Sequence, residues 1–427
     1  MQTYSLSFFN DFGTDVPKKK GMVKLNNKTN FLIFILAISC GSLAANIYYA
    51  QPIVQFIAKD LNISSDLSGL LTTLTQIGYG LGLFFIVPMA DLFKSKKIIG
   101  ILIGLTILSL IGTLISTNGI IFLLLTTIIG IGACAAQMLV PLTMRIVPIE
   151  ETGKYVGKVM SGLLIGIMIA RPLSIGIADW FGWRMVFVFS LIVLVVILLL
   201  IIKFLPDYEV VSTSNMRYQN LIASMVKLLI HTSSLQQRAF YHACLFATFS
   251  LYWTVIPILL RAEPLHYSNN EIALFGFVAI AGALLTPTIG KIADKGYIFT
   301  MTNVSMALVL LSIILLFFVQ DHSLFSMILI LISGVCIDIG VAGNLLLGQK
   351  VIFSLNPEIR NRLNGLYMTI FFLGGAVGSW VGSYTYYKFN SEVTLLIGAA
   401  FPLIALFVHF IKNNTKKLSK TKSEFIS

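Results

Sequence analysis

The chain has 427 residues, 57% of them apolar and only 11% charged, with a formal net charge of +12. Soluble domains carry roughly 25% charged residues, so this composition excludes an ordinary water-soluble enzyme or binding module. The positive balance is spread between long apolar stretches rather than gathered on one surface, and nucleic acid is not an expected partner.

Residues 1–30 hold the basic patch Lys18-Lys19-Lys20 together with Lys24 and Lys28. They read as a polar tail rather than a cleaved signal peptide, because the patch runs into a stretch long enough to span. Twelve apolar stretches follow, at approximately 31–51, 67–90, 98–116, 120–144, 156–178, 185–204, 240–260, 272–293, 299–319, 324–347, 363–384 and 393–411. A hydrocarbon core about 30 Å thick needs roughly 20 apolar residues per helix. Each stretch is therefore expected to cross a lipid bilayer as a helix.

Basic residues set the expected orientation. With a cytoplasmic N-terminus, the inside segments hold 25 Lys and Arg, and the outside loops hold only Lys59, Arg184, Arg261 and Lys388. Positive loops stay inside, which places both termini in the cytoplasm and the excess charge near anionic lipid headgroups. The four cysteines all fall within spans with no metal-ligand spacing, so they read as small packing residues.

The longest polar interruption, 205–239, divides the chain into halves at 31–204 and 240–411, with a basic C-terminal tail at 412–427. Ala90-Asp91 ends the second span and Ala293-Asp294 ends the eighth, 203 residues later. Gly132-Ala133-Cys134 in span four matches Gly334-Val335-Cys336 in span ten at an offset of 202. A shared offset across six spans plus six points to internal duplication, the mark of a secondary transporter with its site near mid-membrane. The expected fold class is all-α integral membrane, twelve transmembrane helices in two pseudo-symmetric six-helix bundles.

At these residues the chain resembles the major facilitator superfamily over essentially its full length. The family's turn after its second helix reads Gly-x-Leu-Ala-Asp-Arg-x-Gly-Arg-Arg. Gly290-Lys291-Ile292-Ala293-Asp294-Lys295-Gly296 fits it well, while the copy around Ala90-Asp91 keeps the acid and the lysines but loses both glycines. The resemblance implies that Asp91, Asp294, Lys295 and Gly290 form cytoplasmic gating turns. Asn46 to Pro52, Leu74 to Tyr79, Ala136 to Pro141, Met160 to Pro172 and Arg362 to Met368 look like the drug and metabolite proton-antiporter group of bacterial efflux permeases. Two departures weaken the carry-over. Thr126 stands where the group's fourth helix has an Arg four residues before Gly130, and Arg171-Pro172 replaces the usual Gly-Pro of the fifth helix.

Polar residues inside spans are the remaining signal. Arg171 lies 15 residues after Val156, too deep at about 1.5 Å per residue to reach the cytoplasmic face. Asp338 is the one acid near the middle of a span. Charges there are costly and normally serve a pathway or a partner, so both are candidates for proton coupling or a charge pair. Asn46, Tyr49, Gln51, Gln76, Tyr79, Gln137, Tyr252, Trp253 and Asn344 supply hydrogen bonds and ring faces for a substrate cavity. The mixture slightly favours a moderately hydrophobic, neutral or cationic substrate.

No phosphate loop or His-Glu-x-x-His motif occurs, and neither an enzyme nor a cofactor is expected. The expectation is a monomeric transporter of the bacterial cytoplasmic membrane that exports a small drug or metabolite against protons, with Asp338 as the carrier. The alternative is an uncoupled facilitator or importer in which Asp338 is structural.

Overall fold

The computed structural model of the chain describes residues 27–148, 151–207, 217–279, 288–289, 292, 295–355 and 359–424. Among the described residues every regular element is a helix, as the unbroken apolar stretches require: in lipid, only a helix satisfies its own backbone within one segment. Ten segments are long and apolar enough to cross a membrane, and residues 29–45 form a shorter apolar helix. With span eight, which the described residues cover only in part, the layout is the expected one of twelve spans.

The first half consists of α1 (Asn27–Ala45), α2 (Val54–Asp60), α3 (Leu70–Leu81), α4 (Ser95–Ile115), α5 (Gly119–Ala133), α6 (Ala136–Ile146), α7 (Thr152–Phe181) and α8 (Arg184–Phe204). A short helix, α9 (Tyr218–His231), links it to the second half. That half contains α10 (Ser233–Arg261), α11 (Asn269–Gly276), α12 (Ile298–Leu316), α13 (Leu324–Phe353), α14 (Arg360–Lys388) and α15 (Ser391–Glu424).

Three spans depart from the uniform helices expected of them. Span one stops at Ala45, and residues 46–50 form turns before a 3-10 segment at Gln51–Ile53. Asn46 Nδ2 donates to the Ser42 carbonyl at 2.8 Å, and Pro52 brings no backbone N–H. The freed Tyr49 carbonyl accepts from Ser174 Oγ at 2.6 Å, the kind of side-chain repair that lets a broken helix persist in a membrane. Span two carries a π turn at Gly82–Ile86 followed by a 3-10 turn at Val87–Asp91. Pro88 sits in that last turn, where a proline ring crowds the carbonyl four residues back. Span four breaks between Ala133 and Ala136. The polar segment 205–239 likewise contains α9, and α10 begins seven residues before the expected start of span seven.

Small residues bring helices together. A methyl group on Gly162 of α7 would overlap the Ala37 backbone of α1, and one on Gly378 of α14 would overlap Ala247 of α10. The four cysteines are buried and free, as the packing reading expects.

The halves meet through α3 against α14. Ser68 and Ser383 hydroxyls lie 3.0 Å apart, Gly69 N donates to Ser383 Oγ at 3.0 Å, and Thr73 and Ser379 hydroxyls are 2.8 Å apart. Beside them Gln55 Nε2 donates to Tyr387 Oη at 2.8 Å, and Asn269 Nδ2 donates to Asp179 Oδ1 at 2.5 Å. All these contacts lie at the end of the bundle away from the Lys94–Lys97 turn. At the lysine-bearing end a cavity opens between the halves instead, lined by Pro88, Gln137, Pro141, Arg145, Arg362 and Met368. The hydroxyl contacts and this cavity thus lie towards opposite ends of the bundle.

Candidate functional site

At the junction of the halves, Arg171 is the dominant feature. It projects from the C-terminal half of α7, is 1% exposed, and stands next to Pro172. Its Nε donates to Gln51 Oε1 at 3.2 Å. Its guanidinium carbon lies 4.4 Å from the Trp253 ring centroid, 4.9 Å from Tyr48 and 5.1 Å from Phe249. Each desolvated cation–π contact offsets up to about 2 kcal/mol of the burial cost. Nη1 and Nη2 have no partner, and an unmade buried bond to a charged group costs roughly 1–3 kcal/mol or more.

The broken end of span one explains why Gln51 can do this. The 3-10 turn rotates its side chain toward the second half, where Nε2 donates to Thr254 Oγ1 at 3.3 Å and to the Ser250 carbonyl at 3.4 Å. Gln76 of α3 reaches the same helix, donating to Ser250 Oγ at 3.0 Å. Two amides from the first half therefore grip α10 beside the buried arginine.

Asp338 sits in the middle of α13, 8% exposed, with Oδ2 unpartnered. It and Arg171 lie within electrostatic reach of one another, and the Tyr48 phenol lies within reach of both. Yet they form no ion pair: the ion pairs among the described residues are Lys154–Glu151, Arg184–Asp60 and His322–Glu271. A positive group from one half and a negative group from the other are held apart.

The other expected residues divide. Trp253 lies on the guanidinium, with its own Nε1 unpartnered. Tyr79 packs on Phe372 at 4.3 Å between ring centroids and its phenol meets Gln137, which lines the open cavity. Tyr49 contributes mainly its backbone carbonyl to Ser174. Asn46 is instead glue between α1 and α8, accepting from Ser190 Oγ at 2.7 Å. Tyr252 joins α10 to α13 by accepting from Ser333 Oγ at 3.1 Å. Asn344 pairs with His242 Nδ1 at 3.0 Å, and that imidazole stacks on Phe371 at 4.3 Å. Tyr48, Phe249 and His242 were missed by sequence reasoning, since nothing in their local pattern separates them from other aromatic residues of a span.

Of the gating turns, Asp91 lies in the 3-10 turn closing span two and Lys295 is an exposed turn residue. The Asp91 side chain, Gly290 and Asp294 lie outside the described residues.

Two helical halves meeting over a buried, unmatched pair of opposite charges, with hydroxyl contacts towards one end and a small cavity towards the other, have the layout of a membrane carrier of small molecules. The Major Facilitator Superfamily family model matches residues 33–346 and 238–425, and the chain belongs to that family. It is 34% identical over 391 residues to the uncharacterized transporter YgaY of Escherichia coli O157:H7, covering 91% of this chain and 97% of that one. A "Probable sugar efflux transporter" of Haemophilus influenzae (strain PittGG) is 25% identical over 282 residues, 64% of this chain and 66% of the relative. Among solved structures, the nucleoside transporter NupG superimposes with a TM-score of 0.70 at 14% identity, covering 90% of this chain and 98% of NupG. The human organic anion transporter MFSD10 gives 0.64 at 15% identity, covering 90% and 100%. At those identities the structural likeness concerns the fold.

Proposed function

We propose that this protein exports a small organic compound across the bacterial cytoplasmic membrane in exchange for protons. Asp338 carries the proton, residues 31–204 and 240–411 are the two rocking halves, and the lysine-bearing end with both termini faces the cytoplasm. The working unit is a monomer in the lipid bilayer, without catalytic residues. The observation that carries this reading is Asp338 itself, a buried acid midway along a membrane helix with a free oxygen. Ionised, it attracts Arg171 across the junction of the halves; protonated, it does not. Taking up a proton therefore changes the energy of bringing the halves together, and a group with different affinity in two facing states shifts the balance between them. The likeness to probable sugar efflux transporters supports the outward direction.

The test is accumulation of fluorescent cations, neutral drugs and labelled sugars in efflux-deficient bacteria. Cells carrying the wild type, Asp338→Asn or an empty vector are compared with and without a protonophore. Protonophore-sensitive extrusion that disappears in the Asn variant supports the reading. Extrusion by Asp338→Asn equal to wild type removes the carrier role, and extrusion indifferent to the protonophore removes antiport.

A further inference from the structure

Nη1 and Nη2 of Arg171 and Oδ2 of Asp338, all buried at the junction of the halves, have bonding capacity left over. Arg171 is not free to swing to the carboxylate. Gln51 fixes its Nε, and Trp253, Tyr48 and Phe249 each lie within 5.1 Å of its guanidinium carbon. The orphaned Nη pair is a planar fork that matches a carboxylate in two parallel hydrogen bonds. The orphaned aspartate oxygen, on the opposite half, matches a cationic N–H donor. Aromatic rings surround the guanidinium: Trp253 lies on it and packs on Phe275 at 5.4 Å, and Phe249 stands at 6.4 Å from Trp253.

We propose that the transported compound is a small zwitterion of the amino-acid type, its carboxylate on Arg171, its ammonium on Asp338 and its side chain against Trp253 and Phe249. This substrate class rests on the transporter reading above. A simple anion would satisfy the fork but face the charge of Asp338, and a simple cation would satisfy Asp338 but face Arg171. A zwitterion satisfies both and adds no net charge to a desolvated site.

Linkage then fixes the sense of proton coupling. A proton on Asp338 removes the partner of the ammonium, so proton and zwitterion weaken each other's binding equally, as exchange requires. For a bare carboxylate the same proton removes a repulsion and strengthens binding, the sense of cotransport. Among the described residues, the other groups within electrostatic reach of Asp338 are Arg171 on α7, Tyr48 at the break of span one and Tyr252 on α10. Arginine and tyrosine do not ordinarily titrate between about pH 5 and 8. His242 on α10 pairs with Asn344, six residues along α13 from Asp338, and His242→Gln controls for it.

The experiment is ligand binding to the purified full-length protein in detergent, by calorimetry and thermal shift. The probes are leucine and phenylalanine, then phenethylamine and 3-phenylpropionate, which lack the carboxylate and the ammonium of phenylalanine respectively. Phenylalanine or leucine should bind, and each single-charge analogue should bind roughly 30-fold more weakly or worse. Zwitterion affinity should fall on acidification while that of 3-phenylpropionate rises, with both trends flattened in Asp338→Asn and kept in His242→Gln. Arg171→Lys should bind phenylalanine with intermediate affinity and Arg171→Gln should not.

Phenethylamine as tight as phenylalanine would reduce the site to a cation site, and 3-phenylpropionate as tight would make it an anion site; either overturns the proposal. So does failure of both amino acids to bind. If the variants do not fold, the four-probe comparison on the wild type decides alone. A protein that binds neither amino acid yet extrudes another compound in the protonophore assay keeps the transporter reading and loses the zwitterion. One that binds phenylalanine but extrudes neither labelled phenylalanine nor any compound of the panel loses the export reading alone.

Discussion

Gln51 accepts the Nε–H of Arg171 at 3.2 Å and, through its Nε2, donates across the junction to Thr254 and Ser250. One amide thus ties a buried cation of the first half to the seventh span. Gln51→Leu keeps the volume but leaves Arg171 Nε without its acceptor, and is expected to lower stability by about 1–3 kcal/mol. Gln51→Glu should do the reverse at Arg171: a carboxylate there pairs with the guanidinium through Nε, offsetting the lost Nε2 bonds to Thr254 and Ser250, and slows transport by neutralising the cation. Thermal unfolding and flux measured on the same two variants check both signs. A Leu variant as stable as the wild type would mean that water replaces the amide.

The close approach of α1 and α7 depends on glycine. Gly162→Leu sets a side chain into the Ala37 backbone, and Gly378→Leu does the same to Ala247. Overpacking of this kind costs typically 1–3 kcal/mol, and more where two backbones must separate. Both variants are expected to yield little monodisperse protein by size-exclusion chromatography. Gly100→Leu is the control, because nothing lies within 4 Å of the position where its side chain would start; it should behave as wild type.

How far the sequence discloses this arrangement depends on the range of the interactions involved. Span lengths are local, so the helices and their number follow from counting apolar residues. Asp338 and Arg171 stand out for a related reason, since a charge inside an apolar stretch is itself a local anomaly. What the spacing does not disclose is partnership. The stop at Ala45 depends on Pro52 nearby but also on Ser174, 125 residues from the Tyr49 carbonyl it satisfies. Asn46 and Tyr252 have the polarity of cavity residues, but Ser190 and Ser333 spend it on helix packing. His242 looks like one of five scattered histidines until Asn344 and Phe371 are brought beside it by packing.

The mouth of span eight carries a capping box whose effect depends on pH. The Ser268 backbone N–H and hydroxyl donate to Glu271 Oε2 at 2.8 and 2.7 Å, and the Ser268 hydroxyl in turn accepts from Glu271 N at 3.3 Å. These bonds, the side-chain one foremost, hold the Glu271 carboxyl below its ordinary value. A lowered folded value means stability that is present above the unfolded value and lost as pH falls through the folded one. Glu271→Gln should therefore be less stable than wild type near pH 7 by a few tenths of a kcal/mol, discounted for exposure. The difference should shrink as pH drops below about 4.5. Melting curves of both proteins below that pH test it, and a gap that widens there would contradict the assignment.

Alternating access requires that the halves come apart where α3 meets α14, and their contact there is built from hydroxyls rather than from charge. Ser68 and Ser383 face each other at 3.0 Å, flanked by the Thr73–Ser379 contact one turn deeper. Neutral hydroxyl bonds are worth about 1 kcal/mol net each, weak enough to break at every cycle and directional enough to fix the register of α3 on α14. Two cysteines at Ser68 and Ser383 should bridge readily, since side chains whose oxygens touch place their Cβ atoms near the 3.5–4.5 Å that a disulfide needs. In a background with Cys40, Cys134, Cys244 and Cys336 replaced, oxidation is expected to abolish transport, and reduction to restore it. Addition of a transported substrate to the reduced protein should slow bridge formation by populating the state open at this end. Full transport by the bridged protein would show that α3 and α14 stay together throughout the cycle, and the hinge would then have to be sought along α7 and α11, where Pro172 meets Gly276.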